Sequence, residues 1–292
     1  VLNSLVEILL GLDLALARGR YGRWLGAVPP HLSEDPEAPF LLRDLRHPLL
    51  IWQHKRSSGT PVVPISVDVS AQLRVVAITG PNTGGKTVSL KSLGLAALMA
   101  RAGMLLPCSG QPSLPWCPQV LADIGDEQSL QQSLSTFSGH IKRIGRILHA
   151  LESGPAPALV LLDEVGAGTD PSEGTALATA LLKALADRAR LTIATTHFGE
   201  LKALKYSDDR FENASVAFNA ETLSPTYELL WGIPGRSNAL AIATRLGLDA
   251  GVLDQAQALL APAAEGEVNT VIQGLEEQRQ RQQAAAEDAA AL

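Results

Sequence analysis

A glycine-rich segment at residues 78–90, ITGPNTGGKTVSL, carries the spacing G-x-x-x-x-G-K-[ST] at Gly80, Gly85, Lys86 and Thr87. Glycines leave room for a phosphate because they have no side chain, and their backbone can curl so that N–H groups point at an anion. A lysine in this position reaches the β- and γ-phosphates of a nucleotide, and the threonine places its hydroxyl on Mg²⁺. The spacing therefore predicts a loop that binds the polyphosphate of a nucleoside triphosphate.

The sequence on both sides of this loop favours that interpretation over a glycine-rich turn with no ligand. The β-branched run VVAI at 75–78 predicts a buried strand, and residues 88–103 predict a helix that ends at Gly103. Strand, loop and helix then follow in the order that a phosphate-binding loop needs. The helix N-terminus also directs partial positive charge towards the same anion.

Two neighbouring carboxylates follow a second apolar run, ALVLLDE at 158–164. Asp163 would end a buried strand, where a carboxylate can hold Mg²⁺ through water, and Glu164 could act as the general base on an attacking water. Two acids that merely close a strand are common. Together with the phosphate loop upstream, they favour a catalytic pair.

Two further segments could contribute polar groups to the same site. His197 follows a third predicted strand, LTIATTH at 191–197, and the carboxyl ends of parallel strands share one sheet edge, so it could contact the γ-phosphate through water. A purely structural histidine is the alternative. Ser135 and Thr136 suit the N-cap of a predicted helix at 136–152. Its free N–H groups could face a nucleotide that a second copy of the chain holds.

The elements that must position these residues alternate between strand and helix, which predicts an α/β fold with a mainly parallel sheet. A loop is predicted at 27–39 from its prolines and acids. The other predicted elements are helices at 1–19, with Leu2, Leu5, Leu9, Leu12 and Leu16 in one stripe, and at 172–189, a hairpin of 211–219 with 226–231, short helices at 236–248 and 249–260, and an exposed helix or coiled coil from Gly274 onwards.

Composition narrows the function classes. The chain has 292 residues and a net charge of −6, which argues against a surface that coats nucleic acid, although not against a local basic face. The chain contains no run of about 18 apolar residues, so we expect no membrane span. Only Cys108 and Cys117 are present, so we expect buried packing in a reducing, cytoplasmic compartment rather than disulfides or a metal site. The start at Val1, without an export signal, suggests a piece of a longer protein.

Four motifs in order resemble the ATPase domain of the MutS family, and their details resemble its second bacterial subfamily. They are TGPNTGGKT (79–87), DIGDEQSLQQSLSTFSGH (123–140), LLDEVGAGTDPSEG (161–174) and TTHFGELK (195–202). RHPLL (46–50) and PTYELLWGIPGRSNALAIA (225–243) add to the resemblance, which covers nearly the whole chain. It implies a P-loop NTPase fold of the ABC-ATPase type, with a C-terminal helical element.

The resemblance also implies roles for individual residues, with ATP or ADP and Mg²⁺ as ligands. Lys86 and Glu164 would serve hydrolysis, and His197 would be the switch histidine. Ser135 would complete the partner's site in a head-to-tail homodimer. Thr87 and Asp163 would serve Mg²⁺. The implied nucleotide-binding residues are Gly80, Pro81, Asn82, Thr83, Gly84, Gly85, Lys86, Thr87 and Val88 in the loop, and Val62, Val63 and Pro64 beside the adenine.

By the same resemblance, residues 1–30 would end a lever region, 31–262 would form the ATPase domain with dimerisation helices at 236–260, and 263–292 would begin a helical linker. The family implies a clamp that acts through other domains on branched or looped DNA, where it suppresses recombination, or on collided ribosomes and their rRNA. A C-terminal Smr nuclease domain, typical of this subfamily, is not in the chain.

Three other functions share parts of this chemistry. An ABC transporter subunit would need an LSGGQ-like motif before the Asp163 strand, where the chain has STFSGH. A small-molecule kinase would need an arginine-rich lid, which 101–120 does not supply. A nucleotide-gated dimerisation module with slow hydrolysis differs from an ATPase only in rate, so the sequence leaves it open.

Overall fold

The computed structural model describes residues 2–57, 61–80, 84–125, 136–219, 224–235 and 239–259. Its helices are α1 Leu2–Leu25, α2 Pro48–Ser57, α3 Lys86–Arg101, α4 Thr136–Ser153, α5 Pro171–Arg188, α6 Leu204–Ser207, α7 Ala239–Arg245 and α8 Ala250–Leu259, with a 3₁₀ turn at Gly199–Ala203. Its strands are β1 His31–Ser33, β2 Phe40–Leu45, β3 Ile65–Val69, β4 Val75–Thr79, β5 Ser109–Pro115, β6 Gln119–Asp123, β7 Ala158–Leu162, β8 Leu191–Thr195, β9 Phe211–Asn219 and β10 Ser224–Trp231.

The larger sheet has the order β10-β9-β4-β8-β7-β6 and is parallel except for the β9–β10 hairpin. Every residue of β4, β7 and β8 is buried, as continuous apolar runs between helices require. Ile78 pairs with Thr195 and Leu162 with Ala194, so these three strands end at one edge. This sheet, flanked by helices, confirms the predicted mainly parallel α/β fold.

A second sheet of four strands, in the order β1-β5-β2-β3, was not predicted from the sequence. The prediction of a loop throughout 27–39 is wrong at His31–Ser33, which pairs in parallel with β5. β5 contains Pro112 and Gly110 and has no clear alternation. These strands form because distant partners pair with them, which local propensity does not report.

Two large apolar cores lie between the layers. One is formed by α3, one face of the larger sheet, and residues of β2 and β3; the other lies between the opposite face and α5. Cys108 and Cys117 are free and buried in the first core, which confirms the predicted packing role. Burial raises the pKa of the Cys108 thiol to about 12 and that of Cys117 to about 11, so both stay protonated at neutral pH.

The helix predicted at 1–19 extends to Leu25, and its leucine stripe is exposed in the described structure. Val6, Ile8, Leu10 and Leu14 are exposed on other faces, whereas Gly22 and Leu25 are buried. None of the helices in the described ranges has the length and apolar character needed to cross a membrane. The predicted linker at 263–292, including the segment from Gly274, lies outside the described residues.

Candidate functional site

The glycine-rich loop connects β4 to α3 as predicted, and its described glycines have geometric reasons to be glycine. Gly80 has a φ of 125° and Gly85 a φ of 88°, values that favour glycine over other residues. A Cβ at Gly84 would lie 3.0 Å from Cβ of Val216. Pro81, Asn82 and Thr83 lie outside the described residues, so the role expected of Asn82 stays a prediction.

Lys86, at the first position of α3, is buried with only 2% of its surface exposed. Its Nζ donates a hydrogen bond to the Gly80 carbonyl oxygen at 2.6 Å. Burial lowers the pKa of this ammonium, whereas the charges of Glu164 and Asp163 oppose that shift. A buried cation is costly unless anions face it. The loop therefore holds a desolvated positive charge that additional anionic oxygens would stabilise.

Asp163 and Glu164 follow β7 directly, and the hydroxyl of Thr195 at the end of β8 joins them. Thr195 Oγ1 donates to Asp163 Oδ1 at 2.5 Å and accepts from the Glu164 backbone N–H at 2.8 Å. Asp163 is 7% exposed. Glu164 has a φ of 53°, an uncommon value for a residue other than glycine and one that often accompanies function. Thr195 was not predicted as a site residue, because its only signal in the sequence is a hydroxyl at a predicted strand end.

His197 lies beside this acidic pair. Its Nε2 is 3.2 Å from Glu164 Oε1, and both side chains are partly exposed. The structure therefore brings Lys86, Asp163, Glu164 and His197 to one sheet edge, as the topology predicted. Their catalytic roles remain predictions.

The segment after β10 closes against the start of the loop. The Gly235 N–H donates to Thr79 Oγ1 at 2.7 Å, and Lys202 Nζ donates to the Gly235 carbonyl at 2.7 Å. A Cβ at Gly235 would lie 2.8 Å from the Gly80 Cα and N atoms, so a larger residue would displace the loop. Gly235 was not predicted as a site residue.

A cavity of about 500 Å³ opens beside the loop, where an adenine segment was expected. Val62 and Val63 line it, but Pro64 does not. The other lining residues come from β2, α2, β3, α3, β10 and the loops between these elements: Leu45, His47, Leu50, Gln53, His54, Ser57, Pro61, Ile65, Gly85, Val88, Ser89, Ser92 and Tyr227. The arrangement offers an apolar wall and an aromatic ring within reach of the phosphate loop.

Tyr227 is the aromatic residue of this cavity and was not predicted as a site residue. It has a φ of 66° at an irregularity of the β9–β10 pairing, and it is 50% exposed. Its Cδ1 lies 3.1 Å from where a Cβ on Gly85 would be. A strained backbone and an exposed ring beside the phosphate loop make Tyr227 a candidate for contact with a ligand.

Asp123, at the end of β6, anchors α4 to the same region. It is 2% exposed, and it binds Arg143 Nε and His140 Nδ1, the latter at 2.7 Å. Burial would raise the pKa of this carboxyl, but the hydrogen bonds and charges of His140 and Arg143 outweigh burial and hold it below its usual value. A small cavity between Asp123, His140 and Glu164 borders the acidic pair. Ser135, just before α4, lies outside the described residues.

Thr87 and Asp163 are the residues that could hold Mg²⁺. They offer a half-buried hydroxyl and a buried carboxylate, which are oxygen donors of the kind this ion prefers. Within the described ranges, no group of three or more histidine, cysteine or acidic residues could hold a metal ion. Two protein oxygens nevertheless fit Mg²⁺, because it usually keeps several waters and binds substrate phosphates.

Comparison with known proteins agrees with this geometry. Residues 76–263 match the family model of MutS domain V. The chain is 59% identical over 307 residues to Endonuclease MutS2 of Synechocystis sp., covering 100% of the chain and 37% of the relative. It is 49% identical over 272 residues to Endonuclease MutS2 of Thermomicrobium roseum (90% and 33%) and 45% identical over 278 residues to that of Shouchella clausii (95% and 34%). The chain thus spans about a third of the length of these curated relatives.

Proposed function

Because the chain belongs to the MutS family and is of the MutS2 type across the P-loop ATPase domain, we propose that it binds Mg·ATP at Gly80–Thr87 and hydrolyses it to ADP and phosphate. One observation carries this proposal. The buried ammonium of Lys86 lies at the same sheet edge as Asp163 and Glu164, whose charges act on it. A polyphosphate would stabilise this buried ammonium and the surrounding loop better than the carboxylates of the chain do alone.

In this proposal each group has a separate task. The loop N–H groups and Lys86 bind the β- and γ-phosphates, and Tyr227 with Val62 and Val63 contacts the adenosine. Thr87 and Asp163 would hold Mg²⁺, which supplies charge neutralisation on the phosphate oxygens when bound. The Thr195 hydroxyl fixes the Asp163 carboxylate and the Glu164 backbone.

Glu164 would act as the general base, and His197 would orient it. The water oxygen bonds to the γ-phosphorus while the bond from that phosphorus to the β–γ bridging oxygen breaks. A proton of the water passes to a carboxylate oxygen of Glu164. The contact between His197 Nε2 and Glu164 Oε1 supports this arrangement, because it restricts where that carboxylate points.

The proposal extends to the whole protein, of which this chain spans only a part. It would act on DNA as a homodimer, with Ser135 of one copy completing the ATP site of the other. Branched or looped DNA and recombination suppression, or collided ribosomes and rRNA, are the finer candidates from the family resemblance. The relatives are named endonucleases, which supports nuclease activity in the whole protein. Binding of the full-length protein to a labelled DNA junction, compared with its binding to stalled ribosomes, would test which of the two is its partner.

Replacing Lys86 with methionine should weaken Mg·ATP binding at least about tenfold, because it removes charge-assisted hydrogen bonds to phosphate while keeping a similar volume. The free energy of unfolding should stay the same or rise, because the chain no longer buries an ammonium. Isothermal titration calorimetry and urea unfolding measure the two quantities.

Lys183→Met is the matched control, because Lys183 is exposed on α5, away from the loop. It should leave Mg·ATP affinity within about twofold, as for most exposed substitutions. No heat of Mg·ATP binding to the unsubstituted chain, or equal affinity in the Lys86 variant, would refute the proposed site.

Replacing Tyr227 with alanine should weaken Mg·ATP binding about tenfold, because stacking of a base on an aromatic ring contributes roughly 1–3 kcal/mol. Affinity for Mg·tripolyphosphate, which has no base, should not change. Tyr227→Phe should keep both affinities, and Tyr206→Ala, at an exposed tyrosine of α6, is the control. Equal losses of affinity for both ligands would place Tyr227 at the phosphates instead.

A further inference from the structure

The ends of α1 and α2 form a surface, here called the α1–α2 patch, in which aromatic and basic side chains alternate. Its members are Arg20, Tyr21 and Trp24 of α1 and Trp52, Lys55 and Arg56 of α2, all of them exposed. Tyr21, Trp24 and Trp52 keep 37%, 38% and 43% of their surface in solvent. Large flat rings are usually buried, so three exposed rings in one place require an explanation.

Direct contacts connect most members of the patch within and between the two helices. Lys55 Nζ lies 4.7 Å from the centre of the Trp24 ring and donates to the Trp24 carbonyl, which links the two helices. Tyr21 stacks on Trp24 with a centroid distance of 6.0 Å and an interplanar angle of 20°. Arg56 Cζ lies 4.7 Å over the Trp52 ring. Lys55 and Arg56 are therefore held beside aromatic rings of the patch.

The patch is positive although the whole chain is acidic. Residues 14–33 and 45–67 contain no aspartate or glutamate, whereas they contain five arginines and one lysine: Arg18, Arg20, Arg23, Arg46, Lys55 and Arg56. The net charge of the chain is −6, so these segments differ in sign from the rest. A positively charged surface of this kind attracts polyanions.

Both features together indicate single-stranded nucleic acid rather than another anionic partner. Proteins that bind single-stranded nucleic acid contact its phosphate backbone with cations and stack its bases on aromatic rings. An acidic peptide would use the cations but not the indole faces. A membrane surface would need a continuous apolar face; the exposed leucines of α1 lie before the patch, and within the patch the arginines and the lysine interrupt the apolar surface.

We propose that the α1–α2 patch binds single-stranded nucleic acid, with Arg20, Lys55 and Arg56 on phosphates and Trp52 and Tyr21 against bases. This goes beyond the proposed ATPase function and does not depend on it. None of the patch residues lines the nucleotide cavity, although the other face of α2, through Leu50, Gln53 and His54, does. A strand on the patch would therefore touch the helix that also forms a wall of the ATP site.

The first test measures binding of the chain to a fluorescein-labelled single-stranded oligonucleotide of mixed sequence by anisotropy at low salt. Arg20→Glu with Arg56→Glu should weaken binding at least about tenfold, because phosphate contacts supply most of the affinity. Lys183→Glu with Arg188→Glu, both exposed on α5, makes the same change in net charge and should alter binding less than about threefold. Equal effects of the two pairs, or no binding by the unsubstituted chain, would overturn the proposal.

The second test separates stacking from charge. Trp52→Ala should weaken oligonucleotide binding about tenfold, whereas Trp116→Ala, at a tryptophan that is 45% exposed elsewhere, should not. Inorganic polyphosphate of similar charge should compete about tenfold more weakly than unlabelled oligonucleotide, because it can contact the cations but has no bases to stack on the rings. If polyphosphate competes equally and Trp52→Ala has no effect, the surface is an anion site without base recognition and the proposal fails. Mg·ATP affinity, measured on the same variants by calorimetry, should stay unchanged, so failure here and failure of the ATP site are told apart.

Discussion

Replacing Glu164 with glutamine should lower ATP turnover at least about 100-fold while Mg·ATP affinity stays within a few-fold. Glutamine keeps the shape of the side chain but cannot accept the proton of the attacking water, and general-base contributions are typically 10²–10⁴-fold. The structure supports this assignment because Glu164 combines a φ of 53° with partial exposure and a partner, His197, 3.2 Å away. Phosphate release at saturating ATP measures the turnover.

Glu152→Gln is the matched control, because Glu152 is an exposed acid at the end of α4 and pairs only with Arg188 in the described salt bridges. Its turnover should equal that of the unsubstituted chain. Light scattering with and without ATP adds a second readout. If the unsubstituted chain hydrolyses ATP no faster than the Glu164 variant, yet dimerises on ATP, the chain is a nucleotide-gated dimerisation module and not the ATPase proposed above.

The elements that sequence could predict were those with a strong local pattern. β4, β7 and β8 are short, fully buried runs with clear boundaries, and glycines follow closely after the ends of α3 and α4. The predicted helices at 88–103, 136–152 and 172–189 are confirmed within two residues at each end. The hairpin and the two short C-terminal helices are confirmed as well, with shorter helices than expected.

Residues whose role depends on distant chain segments could not be predicted in this way. Gly235 meets Thr79 across 156 residues, and Tyr227, which lies near Gly85, sits where the pairing of β10 with β9 shifts its register. On α4, Phe137, Ile141, Ile144, Leu148 and Leu151 recur at helical spacing; Ile144, Leu148 and Leu151 pack partly buried against the second core, whereas Ile147 is buried there and Ile141 is exposed. Periodicity predicts an amphipathic helix but not which part of its stripe a neighbouring element covers.

The same limit applies to Arg190, a basic residue that the sequence places between a helix and a strand without any motif. It is 3% exposed, and it joins the two sheets by donating to backbone carbonyls. Its Nη1 donates to Leu73 at 2.9 Å, and its Nη2 is within hydrogen-bond distance of the carbonyls of Glu37, Ala38 and Ser70. Burial lowers the pKa of its guanidinium. The surrounding carbonyl oxygens stabilise the positive charge of the buried group.

Replacing Arg190 with methionine should lower the free energy of unfolding by about 3 kcal/mol, because it leaves buried carbonyls without a donor. Arg190→Lys should recover little, since an ammonium is a compact point charge and cannot reproduce the planar fork. Arg188→Met, two residues earlier and exposed, removes only its salt bridge to Glu152 and should cost less than about 1 kcal/mol. Urea unfolding followed by circular dichroism measures all three. A loss below 1 kcal/mol in the Arg190→Met variant would contradict this role and would indicate that apolar packing holds the second sheet against the larger sheet without the guanidinium.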